Sequence, residues 1–341
     1  MSTPAIDRLL AVLIVAMAAT GLATLRAGHP SGAWLYVVHG LLAGGLAGIV
    51  LLKLRRSVPA AIRHGRYGRL GLALLVSAAV AAALTGGWLW VASGELVWID
   101  TGVFGRWTIL TIHAWIGLAV VPLVVLHLLP RRWRLLRPGP GAAGRAAGRL
   151  LNRRALLAGG LLAIAGGATF ISVAALERLR GGQRRFTGSR WLDAGGIPPP
   201  TTFFGEPPPP LAAADWRVEV HGRVARPRRL ALDELRAVGE TERTAVLDCT
   251  SGWAIETSWR GVTGAALLDA CGAAGDAREV TVRSATGWTA VLPIDEARGC
   301  LLAWAVAGAP LPEANGAPLR LVVPDRRGLD WVKWVTEVRV G

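Results

Sequence analysis

Long apolar stretches almost free of charge fill residues 1–184, whereas short alternating stretches separated by turn residues fill 185–341. Five of the apolar stretches approach the roughly 20 residues that a membrane-spanning helix needs. They run Leu9–Leu25, Ala33–Leu52, Leu70–Ala92, Trp107–Leu129 and Ala155–Leu176. The first is short, begins near the N-terminus and holds the small residues Ala18, Ala19, Gly21 and Ala23, so a signal peptide is the competing reading. A retained helix is preferred because it keeps the loop charges below consistent. After the fifth stretch, "ERLRGGQRRFTGSRWLDAGGIPPPTTFFGEPPPP" is too rich in Gly and Pro for a helix or a central strand and is expected to be an extended arm. From Asp215 onward, "WRVEVHGRV", "TAVLDC", "EVTVRS", "WTAVLPI", "PLRLVVP" and "VKWVTEVRV" read as strands. "LALDELRAV" and "GVTGAALLDACG" read as short helices, and "DEARGCLLAWAV" as a mixed element. The expected fold is a five-helix transmembrane bundle followed by a mixed α+β domain.

Charge changes the picture once it is divided between the halves. The formal net charge of +15 suggests nucleic-acid binding until the basic residues are located. Residues 1–184 hold 20 Lys and Arg against 4 acids, and residues 185–341 hold 18 against 19. The excess belongs to the membrane half, so no nucleic-acid partner is expected. It is concentrated in the loops Lys53–Arg69 and Arg131–Arg154, the second with eight arginines and no acid. By the positive-inside rule these loops are cytoplasmic. A plasma-membrane protein with a cytoplasmic N-terminus and an extracytoplasmic C-terminal domain follows.

Five of the six histidines lie in residues 1–184, and ionisable groups at membrane depth usually serve a function. His113 and His127 are 14 residues apart on one expected helix. That spacing leaves them about 40° apart around its axis and roughly 21 Å apart along it, a geometry for two haems stacked across a bilayer. His39 and His113 each stand six residues inside the outer end of their spans, which makes them a natural axial pair. Gly40, Gly44, Gly45 and Gly48 beside His39 leave room for a flat macrocycle. The residue 14 positions after His39 is Lys53, so His127 has His64 as its remaining partner for a second haem. Hydrogen bonding between helices is the bland alternative for all four histidines.

Of the three cysteines, Cys249 in "LDCTSGW" ends a strand at a turn, where ligands are commonly offered. Burial, a disulfide and a nucleophilic role compete for it, and Cys271 and Cys300 either pair or are buried. "DCTSGW", "WRGV" at Trp259–Val262, Leu267-Leu268 and the closing "PLPEANGAPLRLVVPDRRGLDWVKWV" resemble the molybdenum-binding domain of the sulfite oxidase superfamily. They are especially similar to the catalytic subunits of bacterial periplasmic methionine-sulfoxide reductases. The membrane half resembles the cytochrome b561-type domains fused to such modules. The resemblance implies a Mo-molybdopterin cofactor with Cys249 as the molybdenum ligand and catalytic residue. It implies that Asn315, Arg320, Trp331, Val332, Lys333 and, less directly, Ser284 bind the pterin and its phosphate. Soft thiolate suits a high-valent metal, and Arg320 and Lys333 suit phosphate.

The resemblance divides the chain into a four-span haem b domain (1–130), a basic cytoplasmic linker (131–154), a fifth span (155–177), an arm (178–214) and a molybdopterin domain (215–341). The fifth span follows Arg153-Arg154, which resembles an internal twin-arginine export signal. The expected function is two-electron, oxygen-atom-transfer redox chemistry outside the membrane. Haem b would exchange the electrons with a quinone or another redox carrier. Reduction of an S- or N-oxide, small or protein-bound, is preferred. Sulfite-type oxidation is the alternative, weakened because Thr250-Ser251-Gly252 follows the cysteine, "TTFFGEPPPP" lacks a sulfite-binding arginine and Trp304 stands where a tyrosine is common. A non-catalytic haem electron-transfer or sensing protein is the rival from another class.

Overall fold

The computed structural model describes residues 3–93, 95–102, 105–128, 184–201, 206–212 and 214–341, with isolated helical positions between 160 and 179. The chain divides into two compact units, one holding the apolar helices and the other holding Gln183–Gly341.

Helices α1 (Thr3–Thr24), α2 (Ala33–Arg63), α3 (Tyr67–Ala92) and α4 (Ile109–Leu128) form the first unit. All four are long and apolar enough to cross a membrane. Their outward faces carry large apolar side chains such as Val12, Leu51, Leu75 and Val125, as a lipid-facing surface requires. A short antiparallel pair, β1 (Trp98–Asp100) and β2 (Arg106–Thr108), links α3 to α4. Ile6, Leu10, Leu46, Ile49, Val80, Val120 and Val124 meet in an aliphatic core drawn from all four helices. The expected loop Lys53–Arg69 is corrected: α2 continues to Arg63. Nothing between Lys53 and Pro59 breaks a helix, and the ring of Pro59 is accommodated near the end of α2. Lys53, the residue that displaced a second histidine, is ion-paired with Asp7 of α1. The basic linker, Arg153-Arg154 and most of the expected fifth span lie outside the described residues.

Among the described residues, the second unit contains two sheets and three short α-helices. The first sheet is β11 (Ala309–Pro310), β10 (Leu301–Val306), β7 (Trp253–Thr263) and β3 (Arg190–Trp191), with β12 (Arg320–Val322) also paired to β10 and β6 (Thr241–Asp248) to β7. The second runs β5 (Arg228–Leu230), β4 (Val218–Gly222), β13 (Val335–Val340), β8 (Glu279–Ser284) and β9 (Thr289–Pro293). Within it β13 and β4 are parallel and the other pairs antiparallel. Helices α5 (Leu232–Val238), α6 (Gly264–Cys271) and α7 (Ile294–Gly299) complete the mixed α+β unit. Thr263 caps α6 by accepting from the Ala266 N–H, and Gly272 ends it in the left-handed region.

Two features differ from the sequence reading. The central strand β7 is absent from it, although Trp253, Ile255, Thr257, Trp259 and Gly261 are buried and Glu256, Ser258 and Arg260 between them are not. Thr257 and Gly261 stand at buried positions, so residue polarity alone does not mark the inward face. The start of the Gly/Pro-rich arm is also not free of sheet structure, since β3 pairs in parallel with the edge of β7. Cys271 and Cys300 are both free and buried. Burial, then the neighbouring Glu296, pushes the Cys300 thiol up to about 12, which leaves it inert.

Candidate cofactor cleft

Strand β6 turns buried at its C-terminal end, and the chain reverses immediately after Asp248. The Gly252 N–H donates to the Cys249 carbonyl at 2.9 Å, and the Cys249 N–H donates to the Trp253 carbonyl at 2.8 Å. This tight turn holds Cys249 Sγ 3.4 Å from the Ser251 N–H and 3.2 Å from Thr201 Oγ1. Cys249 is 9% exposed, so its sulfur is reached from one side, through the cleft that it lines.

Behind the turn stands a polar cluster that the sequence reading missed. Asp248 is fully buried and accepts from Arg185 at 2.7 Å, Thr187 at 2.8 Å and Ser189 at 2.7 Å. Arg327 pairs with the same carboxylate at 3.3 Å and donates to the Cys249 carbonyl at 2.7 Å. Burial by itself would raise the Asp248 carboxyl. Arg327, the Ser189 and Thr187 hydroxyls and Arg185 outweigh it and hold the group below the usual carboxylate range. The cluster ties Arg185–Ser189 and the 327 turn to the residue before the cysteine. Its sequence signals were an acid directly before Cys249 and paired arginines, Arg326-Arg327, inside an apolar closing segment.

The cleft encloses about 720 Å³ of empty space, counting the solvent at its mouth. Cys249, Ser284, Arg320, Trp331 and Lys333 come together on its lining, joined by Thr201, Glu206 and Trp288. Arg320 begins β12 and is 3% exposed, with its guanidinium 5.5 Å from the Trp259 ring and 5.8 Å from the Trp331 ring. One of its nitrogens donates to the Asn315 carbonyl at 2.8 Å, and Nε is buried without a hydrogen-bond partner among the described residues. Desolvation lowers its pKa to about 10, against a raising effect from Cys249. Lys333 donates from Nζ to the carbonyls of Ala314 at 2.6 Å and Thr201 at 2.8 Å. Burial first and Arg320 second bring it down to about 7, opposed by Cys249 and Glu206. Gly316 (φ +115°) makes this packing feasible, because a Cβ there would sit 3.0 Å from Lys333 Cα and Cβ.

Two expected residues stand apart from the lining. Asn315 is buried behind it and donates its side-chain amide to the Pro198 carbonyl at 2.9 Å. Val332 is buried, and its carbonyl accepts from the Leu321 N–H. Ser284 ends β8 with Oγ 3.1 Å from Thr286 Oγ1. Two buried cations, one with an unused N–H, beside a recessed thiol fit a ligand that has an anionic group and a metal of soft character.

Residues 205–341 match the family model of the oxidoreductase molybdopterin binding domain. The chain is 31% identical over 127 residues to the uncharacterized oxidoreductase YuiH of Bacillus subtilis, covering 36% of this chain and 64% of that protein. It is 34% identical over 147 residues to the protein-methionine-sulfoxide reductase catalytic subunit MsrP of Xanthomonas axonopodis pv. citri, covering 38% of this chain and 46% of the relative. The crystal structure of the sulfane dehydrogenase SoxCD from Paracoccus pantotrophus is 24% identical with a TM-score of 0.37, covering 39% of this chain and 40% of that one. The chain therefore spans less than two thirds of these relatives. Its C-terminal part, which holds the Cys249 cleft, is a molybdopterin-binding oxidoreductase domain.

Proposed function

We propose that the chain is a membrane-anchored molybdenum oxidoreductase whose second unit reduces S- or N-oxides with electrons supplied through haem in the first. The observation that carries it is the convergence of Cys249, Arg320 and Lys333 on one cleft. Cys249 supplies a thiolate to the metal, and the turn behind it, clamped by Asp248 and Arg327, fixes where the sulfur stands. Arg320 and Lys333 hold the anionic end of the cofactor, with Ser284 and Trp331 on the same lining. Asn315 and Val332 contribute by positioning the Pro198 segment and β12. When bound, the molybdenum–pterin group supplies the two-electron redox change. The name of the MsrP relatives favours sulfoxide reduction over sulfite oxidation, and Glu206 is an unsuitable neighbour for an oxyanion.

In the first unit, His39 and His113 have ring centroids 6.3 Å apart with planes at 88°. That separation accommodates one metal ion bonded to a nitrogen of each ring at roughly 2 Å. The helices approach both rings closely: a Cβ on Gly21 would sit 3.3 Å from His39, and one on Gly87 would sit 3.2 Å from His113. His39 and His113 would hold a b-type haem, which this spacing and the resemblance to cytochrome b561-type domains support. A second haem on His127 and His64 has sparser support. His64 is an exposed cap at the end of α2, with Nδ1 2.6 Å from the Ala60 carbonyl, and Lys53 is engaged by Asp7. The loop charges support a second unit outside the plasma membrane, with quinone or another carrier as the proposed electron donor.

The test is metal and activity analysis of the purified membrane protein. About one molybdenum per chain and dye-linked sulfoxide or N-oxide reduction are expected in the wild type, with turnover abolished in Cys249→Ala. Full activity in Cys249→Ala, or a wild type devoid of molybdenum after expression with cofactor supply, overturns the assignment.

A further inference from the structure

Thr20 on α1 faces the imidazole of His39 on α2, with Oγ1 2.9 Å from Nδ1. The same oxygen lies 2.7 Å from the Ala16 carbonyl and 3.2 Å from that of Met17. A carbonyl oxygen only accepts, and a hydroxyl has one proton to give. The Thr20 proton is therefore committed within its own helix, and the contact with His39 is a donation from Nδ1–H to Oγ1. A neutral imidazole with its proton on Nδ1 carries its free lone pair on Nε2. His113 reaches the same tautomer by another route, since Nδ1 lies 2.7 Å from the backbone carbonyl of Ala83, which again only accepts. Both rings thus offer Nε2 as a metal-binding nitrogen.

We infer that Thr20 is the positioning residue of the His39 ligand: it fixes Nε2 as the nitrogen that binds iron and sets how strongly that nitrogen donates. The inference rests on the haem reading of His39 and His113. An acceptor on the distal N–H of a ligating histidine orients the ring and raises its basicity. Thr20 is a strengthened acceptor because its own proton is donated to Ala16, and linked hydrogen bonds polarise one another. The two ligands also differ in kind. His113 is held by a main-chain carbonyl that no side-chain substitution removes, whereas His39 is held by one replaceable hydroxyl. A more basic ligand favours ferric over ferrous iron, so loss of the Thr20 oxygen raises the haem midpoint potential.

Thr20→Val keeps the side-chain shape and deletes the acceptor, and Thr20→Ser restores it. In spectroelectrochemical titration of the full-length membrane protein, Thr20→Val is expected to shift the ferric/ferrous equilibrium towards ferrous by roughly tenfold. For one electron that is about 59 mV upward. Thr20→Ser is expected to keep the wild-type midpoint. If the valine variant does not accumulate in membranes, Thr20→Ala is titrated in its place with the same expectation. A haem-loaded Thr20→Val or Thr20→Ala protein with the wild-type midpoint overturns the role of Thr20 and leaves the haem reading intact. A wild type that takes up no haem overturns both. A role in helix packing alone lowers the yield of the valine variant without moving its midpoint, and that result also overturns the inference.

Discussion

Asp248 shows how much of the cleft rests on a residue that does not itself line it. Its carboxylate is fully buried and shared among Arg185, Thr187, Ser189 and Arg327. Removing one partner of a buried pair leaves the other charged and unpaired, which costs about 3–5 kcal/mol. Asp248→Asn is therefore expected to lower the unfolding free energy of the second unit by that amount, read from denaturant titration. Its folded pKa is depressed, so the stabilisation is present above the ordinary carboxylate range and is lost as pH falls through the lowered value. Acid unfolding curves of wild type and Asp248→Asn should converge at low pH. Lys333 gives a slope of the same sign in a higher pH window. Its folded pKa is about 7, against about 10.4 when unfolded. Between these values the unfolded chain holds more protons, so the cofactor-free protein gains stability as pH rises from 7 to about 10, by up to ~1.4 kcal/mol per pH unit. Urea midpoints of cofactor-free protein over that window test it, and Lys333→Met should flatten the slope.

At the scale of elements, the Pro198–Thr201 segment closes the cleft through two bonds from distant turns. Asn315 donates to the Pro198 carbonyl, and Lys333 donates to the Thr201 carbonyl. Asn315→Ala leaves the buried Pro198 carbonyl without its donor, at a cost of about 1–3 kcal/mol. Faster hydrogen exchange confined to residues around 195–201 is the expected outcome, with strands β6 and β7 unchanged. Most elements of this unit were legible. "EVTVRS" became β8 and "WTAVLPI" became β9 because one face of each is buried and the other exposed. β7 was not, because Thr257 and Gly261 stand at its buried positions and mask the alternation. Cys249, Arg320 and Lys333, which the structure brings to one cleft, were named through resemblance, since each lies in a short motif readable within the sequence. Asp248, Thr187, Ser189 and Thr201 were not, because what makes them matter is contact across about fifty or more residues of chain. A lone threonine such as Thr20 likewise carries no signal until two helices bring its oxygen to a histidine.

For the whole molecule, the division into two compact units sets how the proposed cofactors load. His39 and His113 belong entirely to the first unit, and Cys249, Arg320 and Lys333 belong to the second. Each site is completed by its own unit's elements, so loss of one cofactor should not remove the other. His113→Ala is expected to abolish the low-spin haem spectrum while molybdenum content stays at the wild-type level. Cys249→Ala should preserve that spectrum and its midpoint. A functional assay then joins what the structure separates. In wild-type membranes reduced by quinol or dithionite, addition of a sulfoxide should reoxidise the haem if, as proposed, the second unit draws its electrons through the first. Neither variant should show that reoxidation, His113→Ala for want of haem and Cys249→Ala for want of a competent cleft. Substrate-driven haem oxidation persisting in Cys249→Ala would place the reaction elsewhere than the cleft. Loss of molybdenum in His113→Ala would show that the two units assemble as one.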